Sequence, residues 1–381
     1  MQPLGIAQTQ TRALLLPVIG AGAGESRPLF APARDSDMPL SSPPSFLQAA
    51  RNLSTPQHPL PLIKQIKFFL RACRRPWKMR AWLDRLAQPD LARAFREQPR
   101  LALKPFLSYI NYAWTPAERR ALLDAHYEII THLLAPEILA RACRGGHDLL
   151  HIVNTTTGRR LVVRFLCSDK FEREGDLALN LLDAATGLTL ANISFSIGYD
   201  KNDARRIYIG GLQACPDPRV RALIHDLAKE LHGLRAKALL LWILQQLALR
   251  WNVASIYAVD DAHHTSNYRD KHHKVSVSYD EFWAESEGGH LPNGFWCLPL
   301  RPRERAREEL KVNKRRQYER RYALLADLRE SLRAATDRCA PGAPSGERGT
   351  VEFFHATPAP AAAPAAASAE ARERAALETL A

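Results

Sequence analysis

From Ala236 to Trp251 the apolar positions Leu239, Leu240, Ile243, Leu244, Leu247, Ala248 and Trp251 recur at a helical period with few polar interruptions. That pattern predicts a largely buried helix. The run Ser255–Val259 that follows is short, apolar and rich in strand formers. A buried helix feeding a buried strand predicts an α/β core with a parallel or mixed sheet. Upstream, Leu62, Ile63, Ile66, Phe69, Leu70 and Cys73 keep a helical spacing among Lys64, Lys67, Arg71, Arg74 and Arg75, and Pro76 interrupts or restarts the helix. Helices continue through Ala81–Leu86 and Leu91–Arg96. Thr115, Pro116 and Glu118 form a helix start with a capping box. That helix runs through Leu122, Leu123, His126, Ile129, Ile130 and Leu133, with His126 in the apolar sector as a buried, hydrogen-bonded residue. At Gly145 and Gly146 the period changes to alternation. Leu149–Val153 with Arg160–Leu166, and Leu177–Leu182 with Leu188–Ile197, predict two hairpins. Ile207–Leu212 follows as a fifth strand of the meander. Asp217 caps a helix carrying Val220, Leu223, Ile224, Leu227 and Leu231, and Gly233 ends it. Val275–Tyr279 and Phe295–Leu298 read as late strands around a polar loop, Glu285–Asn293. Pro302 is expected to open a long helix to about Arg333.

These readings divide the chain into a disordered lead (1–58), a helical region (59–144), an α/β region (145–300), a basic C-terminal helix (301–338) and a disordered tail (339–381). The lead and tail are rich in Pro, Ala, Ser and Gly and lack sustained periodicity. Met38 competes with Met1 as the start, and the sequence does not choose between them.

Charge narrows the partners. Lys and Arg exceed Asp and Glu by 53 − 40 = 13, which favours anionic partners: nucleic acid, phosphorylated small molecules or an acidic membrane surface. Six single cysteines without a CxxC pair exclude zinc-ribbon and thioredoxin-type readings and point to a reducing, cytoplasmic setting. No apolar run approaches the roughly 20 residues that span a bilayer. The run Ala13–Ile19 is broken by Pro17 and flanked only by Arg12, a poor signal peptide. The basic helix near Leu62 could lie on a membrane or bind nucleic acid; the competing reading is a surface helix docked on its own domain.

Several short stretches carry a family resemblance. They are Glu174–Gly175, Ser194–Ser196, Tyr208–Gln213, His232–Arg235 with Lys237, Ala258–Val259 followed by His263, Tyr279–Glu285, and Lys314–Tyr318 with Arg320–Tyr322. Through them the segment 59–335 resembles the VirK/YbjX family of bacterial proteins, a domain of unknown function. The resemblance implies a role in virulence, through expression or correct surface placement of an outer-membrane virulence protein, without naming a reaction. The central stretch is also similar to the GNAT acyltransferase fold, in which a helix N-terminus between two strands cradles the pyrophosphate of coenzyme A. The fold class is therefore α+β: a helical N-terminal part on a GNAT-like mixed, mostly antiparallel sheet, with a long C-terminal helix. The usual R/Q-x-x-G-x-G/A signature is absent, an extra helix precedes the cradle, and Asp261 or a neighbour fills the family's Asn position.

The GNAT resemblance implies candidate sites. Gly233, Leu234, Arg235, Ala236 and Lys237 would bind coenzyme A or an acyl-CoA, since free N–H groups and the dipole make a helix N-terminus an anion site. The competing reading of Arg235 and Lys237 is a solvated pair of cations. Tyr268 would protonate the thiolate leaving group, against the alternative of an ordinary half-buried tyrosine. Glu174 would act as a base if buried near the cleft, or else closes a turn with Gly175. His263, His264, His272 and His273 invite a metal, but adjacent histidines on a strand face opposite ways and no helical pair or cysteine completes a site, so none is assigned. Tyr279–Trp283 would line a cleft or form a packed lid. Interleaved Arg and Glu after Pro302 favour a solvated helix over a nucleic-acid contact. Two functions stand: an acyl-CoA-dependent transferase with an undefined acceptor, and a non-enzymatic accessory or regulatory factor binding RNA or a partner protein.

Overall fold

Among the described residues, alternation from His147 onward builds a nine-stranded sheet, and most of the other described segments are helical. The computed structural model describes residues 43–54, 59–167, 172–215, 217–268, 278–343 and 349–353, all within one compact unit, Pro39–Ala381. The strands are β1 (His147–Asn154), β2 (Arg160–Cys167), β3 (Leu177–Asp183), β4 (Thr189–Tyr199), β5 (Arg205–Ala214), β6 (Ser255–Val259), β7 (Gly289–Leu291), β8 (Phe295–Leu298) and β9 (Gly349–Phe353). Their order is β7-β8-β6-β5-β4-β3-β2-β1-β9. Neighbours run antiparallel except β5 with β6 and β1 with β9. This is the expected α+β class with a mixed, mostly antiparallel sheet.

Both faces of the sheet are covered. The helices are α1 (Phe46–Asn52), α2 (Leu62–Arg74), α3 (Pro76–Leu86), α4 (Pro89–Glu97), α5 (Pro116–Leu133), α6 (Pro136–Arg144), α7 (Pro218–Glu230), α8 (Ala236–Arg250), α9 (Tyr279–Glu285) and α10 (Val312–Cys339). Helix α8 is apolar all round, with ten buried residues, as a helix buried within a core must be. Trp251 at its end stacks on Phe165 and meets Phe195 of β4. On the other face α5 begins with the predicted box: the Glu118 amide donates to Thr115 Oγ1 at 3.3 Å, and the Thr115 amide to Glu118 Oε2 at 2.8 Å. Strand β4 is buried at nine consecutive positions, as a strand packed on both faces requires.

His126 is buried as predicted, and its Nδ1 accepts from the Ile197 amide at 3.2 Å. Burial lowers its pKa to about 4, with Asp176 opposing and Lys104 adding to the shift. Unfolded, the ring protonates near the ordinary value of about 6.5. Between those values the unfolded chain holds the extra proton, so stability is full above about pH 6.5 and falls as pH drops towards 4. The expected loss is about 3 kcal/mol. Denaturant unfolding at intervals from pH 7 to 4 measures it, and His126→Gln should flatten that slope.

Several expectations are corrected. The strand over Val275–Tyr279 is not formed at Tyr279, which opens α9; residues 275–277 lie outside the described residues. Ser278 Oγ accepts from the Glu281 amide at 3.1 Å and Asp261 from the Tyr279 amide at 2.8 Å, and these caps start a helix. The polar loop after it contains β7. The long helix opens at Val312, not Pro302, because 301–309 has no apolar stripe to bury. Its chain is tied down by Arg305 N donating to the Tyr322 hydroxyl at 2.9 Å. Two elements lie in segments expected to be irregular. Helix α1 is capped by Ser45 and buries Ala49 and Ala50, and β9 adds to the sheet edge with Phe353 buried. The cysteines are not all single: Cys143 of α6 and Cys167 of β2 form a disulfide, with Cα atoms 4.7 Å apart. Among the described residues no helix is long and apolar enough to cross a membrane.

Candidate functional site at the end of β6

Strands β5 and β6 pair from Arg206–Ser255 to Ile209–Ala258, and there the pairing stops although β5 continues to Ala214. The departure begins at a bulge. Ser194 pairs with Gly211 and Phe195 with Ile209, leaving Gly210 as the extra residue. Glycine is required here because Glu174 lies directly against the strand. A Cβ on Gly210 would run into the Glu174 carbonyl, and one on Gly211 into its carboxylate.

The turn that carries Glu174 is held at several points. Lys104 Nζ donates to the carbonyls of Glu172 (2.9 Å) and Gly175 (3.2 Å) and pairs with Asp176 at 3.1 Å. The Ile110 amide donates to the Arg173 carbonyl at 2.8 Å. Asp176 is ringed by Tyr109, Tyr127 and Ser196. Burial pushes the Asp176 carboxyl up, but Lys104, His126 and the Tyr109 hydroxyl outweigh it and hold the pKa below the ordinary value. Ile110 sits at φ 58° and is fully buried, a costly conformation for a β-branched residue. It begins a clamp: Asn111 bridges to His264 and the Tyr112 amide donates to the His263 carbonyl at 3.0 Å. The clamp ties the Glu174 turn to the end of β6.

Two carboxylate–imidazole pairs result. The inner one is Glu174 with His264. Gln213 Nε2 donates to Glu174 Oε1 at 2.8 Å. His264 Nε2 stands 3.6 Å from the same oxygen, too far for a hydrogen bond. His264 Nδ1 lies 2.7 Å from Ser266 Oγ and 3.3 Å from the Ser266 amide nitrogen, which turns Nε2 towards Glu174. Among the described residues Glu174 Oε2 and His264 Nε2 are both buried without a hydrogen-bond partner. Such groups cost stability, and a catalytic role is one reason for a fold to keep them. Tyr279 lies over the His264 ring, 5.1 Å between centroids. Burial, reinforced by the Glu174 charge, pushes the Tyr279 hydroxyl pKa up.

The outer pair is Asp260 with His263. Asp260 Oδ1 accepts from the His263 amide at 2.7 Å and its Nδ1 at 2.8 Å, and His290 Nε2 lies 3.2 Å from Oδ2. Burial raises the Asp260 carboxyl, but these bonds outweigh it and hold its pKa below the ordinary value. His263 stacks on Tyr112 and is partly exposed. Among the described residues no cluster suits a metal ion.

The predicted cradle lies across α9. Gly233, at φ 80°, faces Gln317 and Arg321 of α10. Leu234 and Ala236 are buried. Arg235 caps α8 and pairs with Glu285 at the end of α9. Lys237 Nζ is 5.9 Å above the Phe282 ring, and burial, with Arg235 adding, lowers its pKa. A groove of about 840 Å³ opens beside Leu234 between α8 and α10, rimmed by Arg301, Arg305, Arg321 and Arg333. Tyr268 ends a 3-10 turn, Thr265–Tyr268; its side chain, like His272 and His273, lies outside the described residues. Asp261 takes the Tyr279 amide and the Ser278 hydroxyl, so it caps α9. Helix α9 packs against the end of β6: Tyr279 lies over the His264 ring and Trp283 Nε1 donates to the Val259 carbonyl at 3.0 Å. Sequence reasoning weighed His264 only as a metal ligand and left Gln213 and Asp260 without roles. The readable signal was Gly210–Gly211 inside a strand, the mark of a bulge or a close backbone approach.

The described residues thus form an α+β protein whose nine-stranded mixed sheet carries a buried acid–histidine pair at its parallel step. The chain belongs to the family described as "Protein of unknown function (DUF535)", whose model matches residues 61–334, the VirK/YbjX group. It is 28% identical over 273 residues to the uncharacterized protein YbjX of Escherichia coli (strain K12), covering 70% of this chain and 81% of the relative. An uncharacterized protein of Haemophilus influenzae is 28% identical over 203 residues, covering 51% of this chain and 65% of the relative.

Proposed function

We propose that this protein transfers an acyl group from a coenzyme A thioester to a nucleophilic acceptor, with Glu174 as general base. The observation that carries this is the buried oxygen of Glu174, unpartnered among the described residues, at the step where β5 leaves β6. In this reading Glu174 takes the acceptor's proton, the acceptor attacks the thioester carbonyl, and the C–S bond breaks as the new acyl bond forms. Tyr268 returns a proton to the departing thiolate. Gln213 holds one Glu174 oxygen by its hydrogen bond, and the His264 ring flanks the carboxylate. The N-terminus of α8, with Arg235 and Lys237 and the basic rim beside it, would take the phosphates. The GNAT-like strand–helix–strand step supports the reading. In the cell the activity would serve virulence, by way of an outer-membrane protein's expression or placement, as the VirK/YbjX resemblance implies.

One observation favours a second reading. Helix α9 packs on the end of β6, where a pantetheine arm would enter. A protein that never opens this space would act instead as an accessory factor, binding RNA or a partner protein. Thiol release separates the two. The full chain, given a panel of acyl-CoA thioesters with amine and hydroxyl acceptors, should free coenzyme A above the blank. No release with any thioester favours the accessory role.

A further inference from the structure

Helix α2 has more apolar surface than its docking uses. Phe68 and Ala72 are buried against the core. Leu62, Ile63, Ile66 and Leu70 remain 69%, 57%, 44% and 57% exposed, and Cys73 is exposed as well. At about 100° per residue these five fall in one sector roughly 100° wide, on the side turned away from Phe68 and Ala72. Trp77, in the first turn of α3, is 69% exposed. An outward apolar stripe of this kind on a water-facing surface marks an interaction site.

Charge identifies the partner. Lys64, Lys67, Arg71 and Arg74 form the sector beside the stripe, and Arg75 and Lys78 follow; all six are exposed. None of the six has a carboxylate partner among the described residues. The sequence contains no Asp or Glu between Asp37 and Asp84. An acidic protein groove would satisfy the charges but would need to match an apolar stripe that ends in a tryptophan. A bilayer with anionic headgroups offers both parts at once: acyl chains for the stripe, phosphates for the cations, and an interfacial level that suits tryptophan.

We propose that α2, with Trp77, is a docking surface for an anionic lipid membrane, on which the protein lies peripherally. The docking does not depend on the chemistry at Glu174.

Co-sedimentation of the full chain with vesicles tests this. One set contains phosphatidylcholine with about a third phosphatidylglycerol, the other phosphatidylcholine alone, since surface attraction scales with the anionic lipid. Binding to the anionic set, weakened at high salt, is expected, with at least a tenfold weaker partition to the neutral set. Ile66→Asp with Leu70→Asp should reduce partition at least tenfold without changing the melting temperature, because both side chains are exposed. Lys64→Gln with Lys67→Gln and Arg71→Gln should remove the preference for anionic lipid, and covers the case in which the aspartate pair unfolds. No binding to anionic vesicles overturns the proposal. So does binding unaffected by both variants, or light scattering that shows the stripe closed in a dimer of wild type which the aspartate pair dissociates.

Discussion

Lys104→Met should lower the stability of the protein by about 3–5 kcal/mol, the usual result of leaving one half of a buried ion pair without the other. The ammonium is 3% exposed and the Asp176 carboxylate fully covered. Methionine keeps most of the volume and removes three interactions at once: those with Asp176 and with the Glu172 and Gly175 carbonyls. For a domain held by about 5–15 kcal/mol this is a large fraction. Adding Asp176→Asn should recover part of the loss, because the amide oxygen can still accept from one tyrosine hydroxyl and the amide NH2 can donate to the other, without a buried charge. Urea unfolding of wild type, Lys104→Met and the double variant measures all three. A loss below about 1 kcal/mol for Lys104→Met would mean that the pair contributes little and that the Glu174 turn is held by its backbone contacts alone.

The second large effect concerns Glu174→Gln. If Glu174 is the base of an acyl transfer, kcat should fall by about 10²–10⁴, the usual share of a positioned general base. The substitution is nearly isosteric. The amide oxygen can still accept from Gln213 Nε2, so the melting temperature should stay close to wild type and acyl-CoA binding should persist. A fall in kcat at unchanged KM separates lost chemistry from lost affinity. An unchanged kcat in a folded Glu174→Gln sample would remove Glu174 from the reaction.

Local signals were readable and distant ones were not. The capping box at Thr115, the apolar helix α8 and the buried His126 follow from residues within a few turns of one another. So does the run of hairpins, since each turn sits beside the strands it joins. Helix α9 is seven residues long, and its start depends on Asp261, which caps it from the end of β6; a short aromatic run reads equally well as strand. Strand β9 has no alternation strong enough to stand out in a Pro/Ala-rich segment, and its partner β1 lies far away in the chain. The start of α10 depends on what 301–309 cannot bury rather than on any breaker. At the site, Glu174–Gly175 was visible as a turn. Its contacts with Gln213, 39 residues on, and with His264 arise only when the β5 bulge and the clamp at Ile110 bring them together.

Binding of coenzyme A is the most direct test of the transferase reading. Calorimetric titration of the full chain with coenzyme A and several acyl-CoA thioesters should show saturable binding, with stabilisation of about 2.7 kcal/mol at a hundredfold excess over Kd. Arg235→Ala with Lys237→Ala should remove much of it, and Glu174→Gln should not. No heat and no rise in melting temperature with any thioester, on folded wild-type protein, would contradict the reading and leave Glu174 and His264 to another role.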